Sequence, residues 1–315
     1  MSVKQIFEDL KSRLEPFMVF NNDDLIQKIF VTYFSKGHVL LEGPPGTGKT
    51  LFAKSFSKIL ARDFKRIQFT SDMMPADIIG SYLYSPKTQE LTFTAGPLFS
   101  DIVLADEINR APPRTQSALL EAMAENQITV EGETKKLDDN FFVIATQNNL
   151  SDEGTFPLPE AQIDRFLMKI IISHEKTEES IRILQLKFNN DSKTQDRSSS
   201  QLRSIQFEHD IIGEEIEKIF VNPVLMRYMS DILEHCRKHP MVELGPSIRA
   251  AIGILRAARV VAAIEDRDYV SADDIKLLCP DVLRHRLRLS AEASLEEIDA
   301  DQIIKNILQK TEVPK

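Results

Sequence analysis

The first half of the chain alternates short apolar runs with segments in which apolar residues recur every three or four positions. The apolar runs predict buried strands at His38–Leu41, Arg66–Thr70, Asp101–Asp106 and Asn140–Thr146. The segments with helical spacing predict helices at Val3–Leu14, from Asn22 or Asp23 through Phe30, at Leu51–Leu60 and from Pro113 to Met123. Strands that alternate with helices in this way are typical of an α/β domain with a parallel sheet.

A long segment after the second apolar run interrupts this alternation. It extends from Asp72 to Thr94, is broken by Pro75, Gly80 and Pro86, and has a predicted hairpin around Ser85. We interpret it as an insertion into the α/β core.

The second half of the chain follows a different pattern. Between Lys187 and Glu208 polar residues dominate and apolar periodicity stops, which predicts a flexible linker. Beyond the linker, helical spacing predicts helices at Ile211–Ile219, Pro223–Lys238, Pro246–Ile264, Ala272–Leu278 and Leu295–Leu308. The chain therefore divides into an α/β core at 1–186, a polar linker at 187–208 and an all-helical domain at 209–315.

The loop after the first strand carries the most specific motif. Gly43, four further residues and Gly48-Lys49-Thr50 match G-x-x-x-x-G-K-[ST], with a strand before and a helix after. In such a loop, backbone N–H groups surround phosphates, the lysine reaches the outer phosphates and the threonine hydroxyl binds Mg²⁺. The alternative, a plain Gly-Pro turn, does not explain the flanking elements. The predicted ATP-binding residues are Gly43, Pro44, Pro45, Gly46, Thr47, Gly48, Lys49, Thr50 and Leu51.

Two carboxylates end the next apolar strand. Asp106 is expected to hold Mg²⁺ together with Thr50, and Glu107 to orient and polarise an attacking water. The alternative is a strand that ends in solvated acids, which the phosphate loop upstream disfavours. The following strand ends at Asn148, whose amide would lie level with the carboxylates if the strands are parallel neighbours. For Asn148 alone, a residue that turns a loop is an equal alternative.

Composition and charge narrow the class of protein. The 315 residues include 39 basic and 48 acidic ones, a net charge of -9 that argues against a general nucleic-acid surface. Two cysteines and a start unlike a signal peptide indicate a reducing cytoplasm. The apolar stretch Ile252–Ile264 is too short to cross a bilayer and is interrupted by Arg256 and Arg259, so no membrane insertion is expected.

Three further candidates have structural alternatives. Arg165, on a predicted short helix after Pro159, is a cation that could instead pair with Asp164 or Glu160. His235, Cys236 and His239 have metal-like spacing, but only the two histidines share a helix face, which favours a structural interpretation. The basic run Arg284–Arg288 could grip phosphate or nucleic acid, although packing against the core or a neighbour is favoured.

Taken together, these motifs resemble the MoxR-type AAA+ ATPases over about Phe20 to Leu289. The matching segments are Gly37–Gly43, Arg66–Thr70, Ala105–Pro113, Thr115–Met123, Phe142–Asn148, Gly154–Thr155 and Pro157–Gln162. The resemblance implies a five-stranded P-loop core, an insert at Asp72–Phe99 that projects into the pore of a ring, and a helical lid. It also implies a homo-oligomeric ring, usually a hexamer, that remodels a client protein, often one with a von Willebrand A domain.

Carried over by position, the resemblance assigns individual roles. It makes Lys49 and Thr50 the Walker A pair, Asp106 and Glu107 the Walker B pair, and Asn148 sensor 1. Arg165 resembles the arginine finger that acts on a neighbouring subunit, and Arg249 resembles sensor 2, which contacts the γ-phosphate. The chain departs from the family pattern at Asn21-Asn22, Asn149, Ser173 and Ile248, and none of these departures removes a catalytic group.

The resulting expectation is a cytoplasmic, Mg²⁺-dependent AAA+ ATPase that hydrolyses ATP at subunit interfaces and acts as a chaperone. Two alternatives remain open. One is the ATPase subunit of a metal-insertion complex resembling magnesium chelatase, and the other, which the acidic balance disfavours, is a nucleic-acid motor.

Overall fold

The computed structural model describes residues 1–15, 23–44, 48–87, 89–147, 154–172 and 202–314. Its centre is a five-stranded sheet in the order β2-β5-β8-β1-β9. The strands are β1 (Val39–Glu42), β2 (Phe64–Gln68), β5 (Ile102–Asp106), β8 (Phe142–Gln147) and β9 (Met168–Ile171), and all adjacent pairs are parallel. The predicted parallel α/β core is confirmed. The second strand begins and ends about two positions earlier than the predicted Arg66–Thr70, because its register on β5 pairs Phe64 with Ile102.

Helices cover both faces of the sheet. The helices of the core are α1 (Val3–Leu14), α2 (Asp23–Phe34), α3 (Lys49–Ile59), α4 (Pro75–Ile79), α5 (Pro113–Glu125) and α6 (Glu160–Ile163). Along each central strand, successive buried side chains point to opposite faces of the sheet, as a sheet covered on both faces requires. In β5, Ile102 and Leu104 join one apolar cluster with α1 to α3, whereas Val103 and Ala105 join the other with α5.

The inserted segment forms a hairpin, as predicted. Its strands are β3 (Gly80–Ser85) and β4 (Glu90–Ala95), which pair in antiparallel register. A second hairpin, β6 (Gln127–Val130) and β7 (Glu133–Lys136), contacts the first. The Tyr82 hydroxyl donates a hydrogen bond to Glu133, and the Lys135 ammonium lies 4.6 Å from the centre of the Phe93 ring. The two hairpins are thus joined by polar and cation–π contacts.

The C-terminal region is predominantly helical. Its helices are α7 (His209–Glu217), α8 (Pro223–Lys238), α9 (Ile248–Ile264), α10 (Ala272–Leu283), α11 (Ala291–Leu295) and α12 (Ala300–Lys310). It also contains a two-stranded ladder of β10 (Val242–Leu244) and β11 (Arg288–Leu289), which the sequence pattern did not predict. Apolar residues of α9 and α10 belong to the same buried cluster as those of α1 to α3, so the lid packs on the core.

Two predicted lid helices have different limits in the structure. The helix expected to end at Leu278 continues to Leu283 through an internal Pro280, because Val282 and Leu283 are fully buried. The helix expected at Leu295–Leu308 is interrupted, and α12 starts anew where the Asp299 carboxylate caps the Gln302 N–H group. The domain limits at 186 and 208 stay a prediction. Residues 202–208 have no regular secondary structure, and Ile205 is buried and donates to the Ile59 carbonyl.

Candidate nucleotide-binding site

The phosphate loop lies between β1 and the first turn of α3. A Cβ at Gly43 would lie 2.6 Å from the Ile172 carbonyl oxygen, so only glycine permits this close approach after β9. Gly48 precedes the helix with a positive φ of 74°, a conformation that glycine adopts without strain. Lys49 and Thr50 then begin the helix, as the motif requires. Pro45, Gly46 and Thr47 lie outside the described residues.

The Lys49 ammonium group bridges the two ends of this loop. It donates to the Gly43 carbonyl at 3.0 Å and to the Pro44 carbonyl at 3.1 Å. Burial lowers the pKa of Lys49, and the negative charges of Asp106 and Glu107 oppose that effect. The carboxylates of the second motif are therefore close enough to the lysine to interact with it electrostatically, as a shared phosphate site requires.

The two carboxylates stand at the carboxyl edge of the sheet, where parallel sheets bind ligands. Thr146 on β8 donates its hydroxyl proton to Asp106 at 2.6 Å and accepts the backbone N–H of Glu107 at 2.9 Å. Glu107 has a left-handed backbone conformation with φ 57° and ψ 50°. A non-glycine residue in this region is strained by about 1–2 kcal/mol, a feature common at functional sites.

An arginine neutralises each of these carboxylates. Arg66 on β2 donates to Asp106 Oδ2 through Nη2 at 2.7 Å and through Nε at 3.2 Å. Arg110 donates to Glu107 Oε2 at 2.9 Å. A divalent cation on Asp106 and a water on Glu107 would have to compete with these two guanidinium groups.

The buried carboxylate of Glu42 connects the strand before the phosphate loop with both neighbouring strands. Glu42, the last residue of β1, is 5% exposed and accepts from the Lys169 ammonium on β9 at 2.7 Å. Its carboxylate also accepts from the side-chain amide of Gln147 on β8. Glu42 thereby ties the strand before the phosphate loop to the strand that leads to Asn148. Asn148 itself lies outside the described residues.

The donor set fits a Mg²⁺ ion. Thr50 supplies a hydroxyl in the first turn of α3, and Asp106 supplies a carboxylate that is 14% exposed at the same sheet edge. Oxygen ligands from one or two side chains, completed by phosphates and water, are what Mg²⁺ uses in nucleotide sites.

Arg165 does not lie on the short helix, where we placed it. The helix ends at Ile163 because the chain turns there into β9, and Arg165 is in that turn with its N–H donating to the Gln162 carbonyl. Its side chain is exposed and forms no hydrogen bond or ion pair with any residue that the structure describes. The alternative that Arg165 pairs with Asp164 or Glu160 is therefore wrong for this structure.

Arg249, the second residue of α9, is held by the core. Its guanidinium donates to Asp164 Oδ2 at 2.9 Å, and the side chain is 69% exposed. In this structure Asp164 is the partner of the candidate sensor 2 residue.

The remaining candidates from the sequence have structural partners. The basic run packs on the core, as favoured: Arg284, His285 and Arg286 donate to carbonyls of residues 164 to 169. Cys236 is fully buried, and burial raises its pKa to about 12, which makes it a poor metal ligand. His235 bonds to Thr311. Within the described ranges, no group of three His, Cys, Asp or Glu side chains could hold a metal ion.

Several residues of the site escaped the sequence reasoning. Thr146, Arg66 and Arg110 contact the two carboxylates, and Asp164 holds Arg249. Arg66 and Arg110 lie in segments that carry the family resemblance, but their contacts depend on strand register and on a turn. Asp164 was considered only as a partner of Arg165.

Comparisons with known proteins agree with this geometry. Residues 38–168 match the family model of the "ATPase family associated with various cellular activities (AAA)", and residues 235–307 match the AAA lid domain. YeaC of Bacillus subtilis is 43% identical over 89% of this chain and 86% of its own length. Chaperone MoxR1 of Mycobacterium tuberculosis is 39% identical over 95% of this chain and 80% of its own length.

A solved structure extends the similarity to the whole fold. The crystal structure of a proposed ATPase from Cytophaga hutchinsonii superposes with a TM-score of 0.88 at 35% identity, covering 99% of this chain and 96% of that one. Among the described residues, no helix is both long and apolar enough to cross a membrane. With two relatives above 30% identity of which it covers 86% and 80%, the chain belongs to the MoxR family of AAA+ ATPases.

Proposed function

We propose that this protein hydrolyses ATP with Mg²⁺ at the interfaces between subunits of a ring, a hexamer by the family resemblance, and uses the lid movement to remodel a client protein. The observation that carries the proposal is the convergence of Lys49, Asp106 and Glu107 on one sheet edge, with Thr146 joining the two carboxylate residues. Phosphoryl transfer needs little more than positioning and charge, and this edge supplies both.

Each side chain has a distinct task in the proposed reaction. Lys49 and the loop N–H groups bind the outer phosphates of ATP, and Thr50 and Asp106 hold the metal ion. Mg²⁺ supplies charge neutralisation on the phosphate oxygens when it is bound. Glu107 accepts a proton from the attacking water and orients it, and Asn148 holds that water without competing for the metal.

The proposed site is completed by a neighbouring subunit. Arg165 is exposed and unpaired within the described part of the chain, so its guanidinium is available to another molecule. An arginine finger contributes roughly 10³–10⁵ in rate, so a chain that lacks it should bind ATP without hydrolysing it. Arg249 would release Asp164 and contact the γ-phosphate of the ATP in its own subunit. The position of the lid would then depend on which nucleotide is bound.

The insert hairpin is the proposed contact for the client. Leu83, Tyr84 and Leu91 are more than half exposed on the hairpin, which is unusual for large apolar side chains. An extended apolar segment of a client, such as one next to a von Willebrand A domain, would bury them in the pore of the ring.

Subunit mixing tests the shared site. Lys49→Ala subunits keep the finger but are expected to lose ATP binding, and Arg165→Ala subunits keep the binding site but lose the finger. Each variant alone should be inactive. A mixture should recover turnover at interfaces where an Arg165→Ala subunit supplies the intact ATP site and a Lys49→Ala subunit supplies the intact finger. Arg227→Ala is the matched control, because Arg227 is also exposed and unpaired in the described ranges. The proposal fails if mixed rings form without activity, or if Arg165→Ala alone turns over ATP like Arg227→Ala; Arg110 and Arg114 would then be the next candidates for the finger.

A further inference from the structure

Three large apolar side chains are exposed at the start of the lid. Leu244, the last residue of β10, is 58% exposed, and Ile248 and Ile252 on α9 are 64% and 47% exposed. Ile248 and Ile252 stand four residues apart on the helix, so they lie on the same face. We call these three residues the apolar stripe. A group of exposed apolar side chains of this kind is typical of a surface that another molecule covers.

The helix that carries the apolar stripe packs against the turn that contains Arg165. Arg249, the second residue of α9, donates to Asp164 at 2.9 Å, and Asp164 directly precedes Arg165. One turn further along α9, a Cβ at Gly253 would lie 2.6 Å from the side chain of Leu167, so the helix and the turn are in direct contact.

Two further observations join this turn to the lid. Arg286, whose side chain is 4% exposed, donates to the carbonyls of Asp164, Phe166 and Leu167 at 2.9, 2.7 and 3.1 Å. Leu244 and Asp164 line the same cavity of about 300 Å³ between core and lid. Arg165 and the apolar stripe therefore belong to one surface, which we call the finger face.

The charge of the finger face indicates what covers it. Arg165 is exposed and unpaired in the described part of the chain. Arg256, one helical turn after Ile252, is also exposed and forms no ion pair with a described residue. An apolar surface bordered by cations fits an anionic surface that has apolar side chains of its own.

The edge of the sheet that carries the phosphate loop has these complementary properties. It holds the carboxylates of Asp106 and Glu107 and, in the proposed function, the phosphates of ATP. Next to the loop, Leu51 in the first turn of α3 is 40% exposed, and Ile171 at the carboxyl end of β9 is 51% exposed. Because the two surfaces are different parts of the chain, two copies would pair head to tail, the type of contact that closes into rings.

We propose that the apolar stripe is the assembly surface for a second copy of this chain, which covers it with the edge that carries its phosphate loop. The inference rests on the proposed function, in which Arg165 reaches the phosphates of the neighbouring subunit. Because an arginine side chain is shorter than two helical turns, about 11 Å, the surface around Arg165 must then face the surface around those phosphates. Covering the stripe and completing the neighbouring ATP site are therefore one event.

Thiol labelling tests whether assembly covers the stripe. The native cysteines, Cys236 and Cys279, are both buried, so a single introduced cysteine can be labelled selectively with a maleimide. The labelling rate of full-length Ile248→Cys is measured with ATP and Mg²⁺ at protein concentrations below and above ring assembly, which sedimentation velocity determines. Ile211→Cys is the matched control, because Ile211 is an isoleucine of the lid that is 58% exposed, on α7.

We expect assembly to slow the labelling of Ile248→Cys by about tenfold or more, because a covered thiol reacts only in the dissociated fraction, and to change Ile211→Cys by less than about twofold. Ile248→Ala should raise the protein concentration at half-assembly by about five- to tenfold, since less apolar surface is buried on assembly. Its ATP turnover should be low in dilute protein and return to the parental value in concentrated protein, because Lys49, Glu107 and Arg165 are intact. Ile211→Ala should assemble as the parent does.

Three results would overturn the inference while leaving the proposed function intact. The parent assembles but the labelling rate of Ile248→Cys stays the same, Ile211→Cys is protected to the same extent, or Ile248→Ala assembles at the parental concentration. If Ile248→Cys itself weakens assembly, labelling is measured on Ile252→Cys.

Failure of the proposed function has a different signature. If assembly protects the stripe but the mixture of Lys49→Ala and Arg165→Ala is inactive, the shared ATP site is refuted and the assembly surface stands. A chain that stays single at every concentration, with ATP and Mg²⁺ present, refutes both.

Discussion

The Thr146 hydroxyl donates to Asp106 across the ladder between β8 and β5, at an oxygen–oxygen distance of 2.6 Å. The same hydroxyl oxygen accepts the N–H of Glu107. One oxygen atom on the neighbouring strand thus positions both Asp106 and Glu107, and its residue stands two positions before Asn148. A movement of β8 would displace the metal ligand and the proposed base together.

Thr146→Val tests this arrangement. The change keeps the shape of the side chain but leaves Asp106 Oδ1 without its donor and the Glu107 N–H without an acceptor. We expect the free energy of unfolding to fall by about 1–3 kcal/mol and ATP turnover to fall more than nucleotide affinity. Urea denaturation and steady-state kinetics measure the two effects. Thr129→Val, which removes an exposed hydroxyl on β6, should change neither. Normal turnover in Thr146→Val would show that this hydroxyl does not position the carboxylates.

Arg66→Gln should make the metal site easier to fill. Arg66 and Mg²⁺ compete for the Asp106 carboxylate, and Arg66 is 45% exposed, so its ion pair contributes only about 0.2–1 kcal/mol. The Mg²⁺ concentration that half-maximally tightens binding of a non-hydrolysable ATP analogue should fall by about two- to fivefold. Lys65→Gln is the control, because it removes the same charge from the adjacent position of β2, where no contact with Asp106 exists among the described residues. If Arg66→Gln required more Mg²⁺ than the parent, Arg66 would instead help to bind the nucleotide.

The stability of the fold should depend on His38. Its Nδ1 accepts from the Val143 N–H and its Nε2 faces the Met123 carbonyl, so the folded protein holds a neutral ring. Burial lowers the pKa of His38 from 6.5 to about 4, against an opposing effect of the Met123 bond. A histidine whose pKa is lowered by folding makes its full contribution to the free energy of unfolding at pH values above its unfolded pKa. For His38 this contribution is lost as the pH falls from 6.5 towards 4.

Between pH 7 and pH 5 the contribution of His38 should fall by about 2 kcal/mol. His38→Asn should therefore be less stable than the parent at pH 7 but lose correspondingly less stability on acidification, as measured by urea denaturation at both values. His209, whose pKa burial also lowers to about 4, should keep part of the pH dependence in the variant. An unchanged pH dependence in His38→Asn would contradict this assignment.

The sequence was sufficient for features encoded locally. The phosphate loop, the two carboxylates and the alternation of strands and helices follow from residue spacing, and the helix Val3–Leu14 has the predicted limits. Strand burial on both sheet faces gives continuous apolar runs, which made the central strands easy to locate.

Features that depend on pairing across the fold could not be predicted. Thr146 reaches Asp106 only because β8 and β5 are neighbours in a particular register. Arg66 reaches the same carboxylate because β2 ends beside β5. Arg286 contacts residues more than a hundred positions earlier in the chain, and the sequence offered many acidic side chains and carbonyls as its partners. Only the folded structure places residues 164–167 beside it.

The proposed hydrolysis depends most on Glu107, the residue that activates water. Glu107→Gln keeps the size of the side chain and removes its ability to accept a proton. We expect the variant to bind ATP and Mg²⁺ as the parent does and to lose roughly 10²–10⁴ in turnover. Glu121→Gln, an exposed position on α5, controls for the charge change and should hydrolyse ATP normally.

The direct measurement is ATP turnover by Glu107→Gln, made together with the affinity for a fluorescent ATP analogue on the same preparation. We expect parental affinity with turnover lost. Turnover near the parental rate, with affinity intact, would contradict the role of Glu107, because another group would then be activating the water at this site.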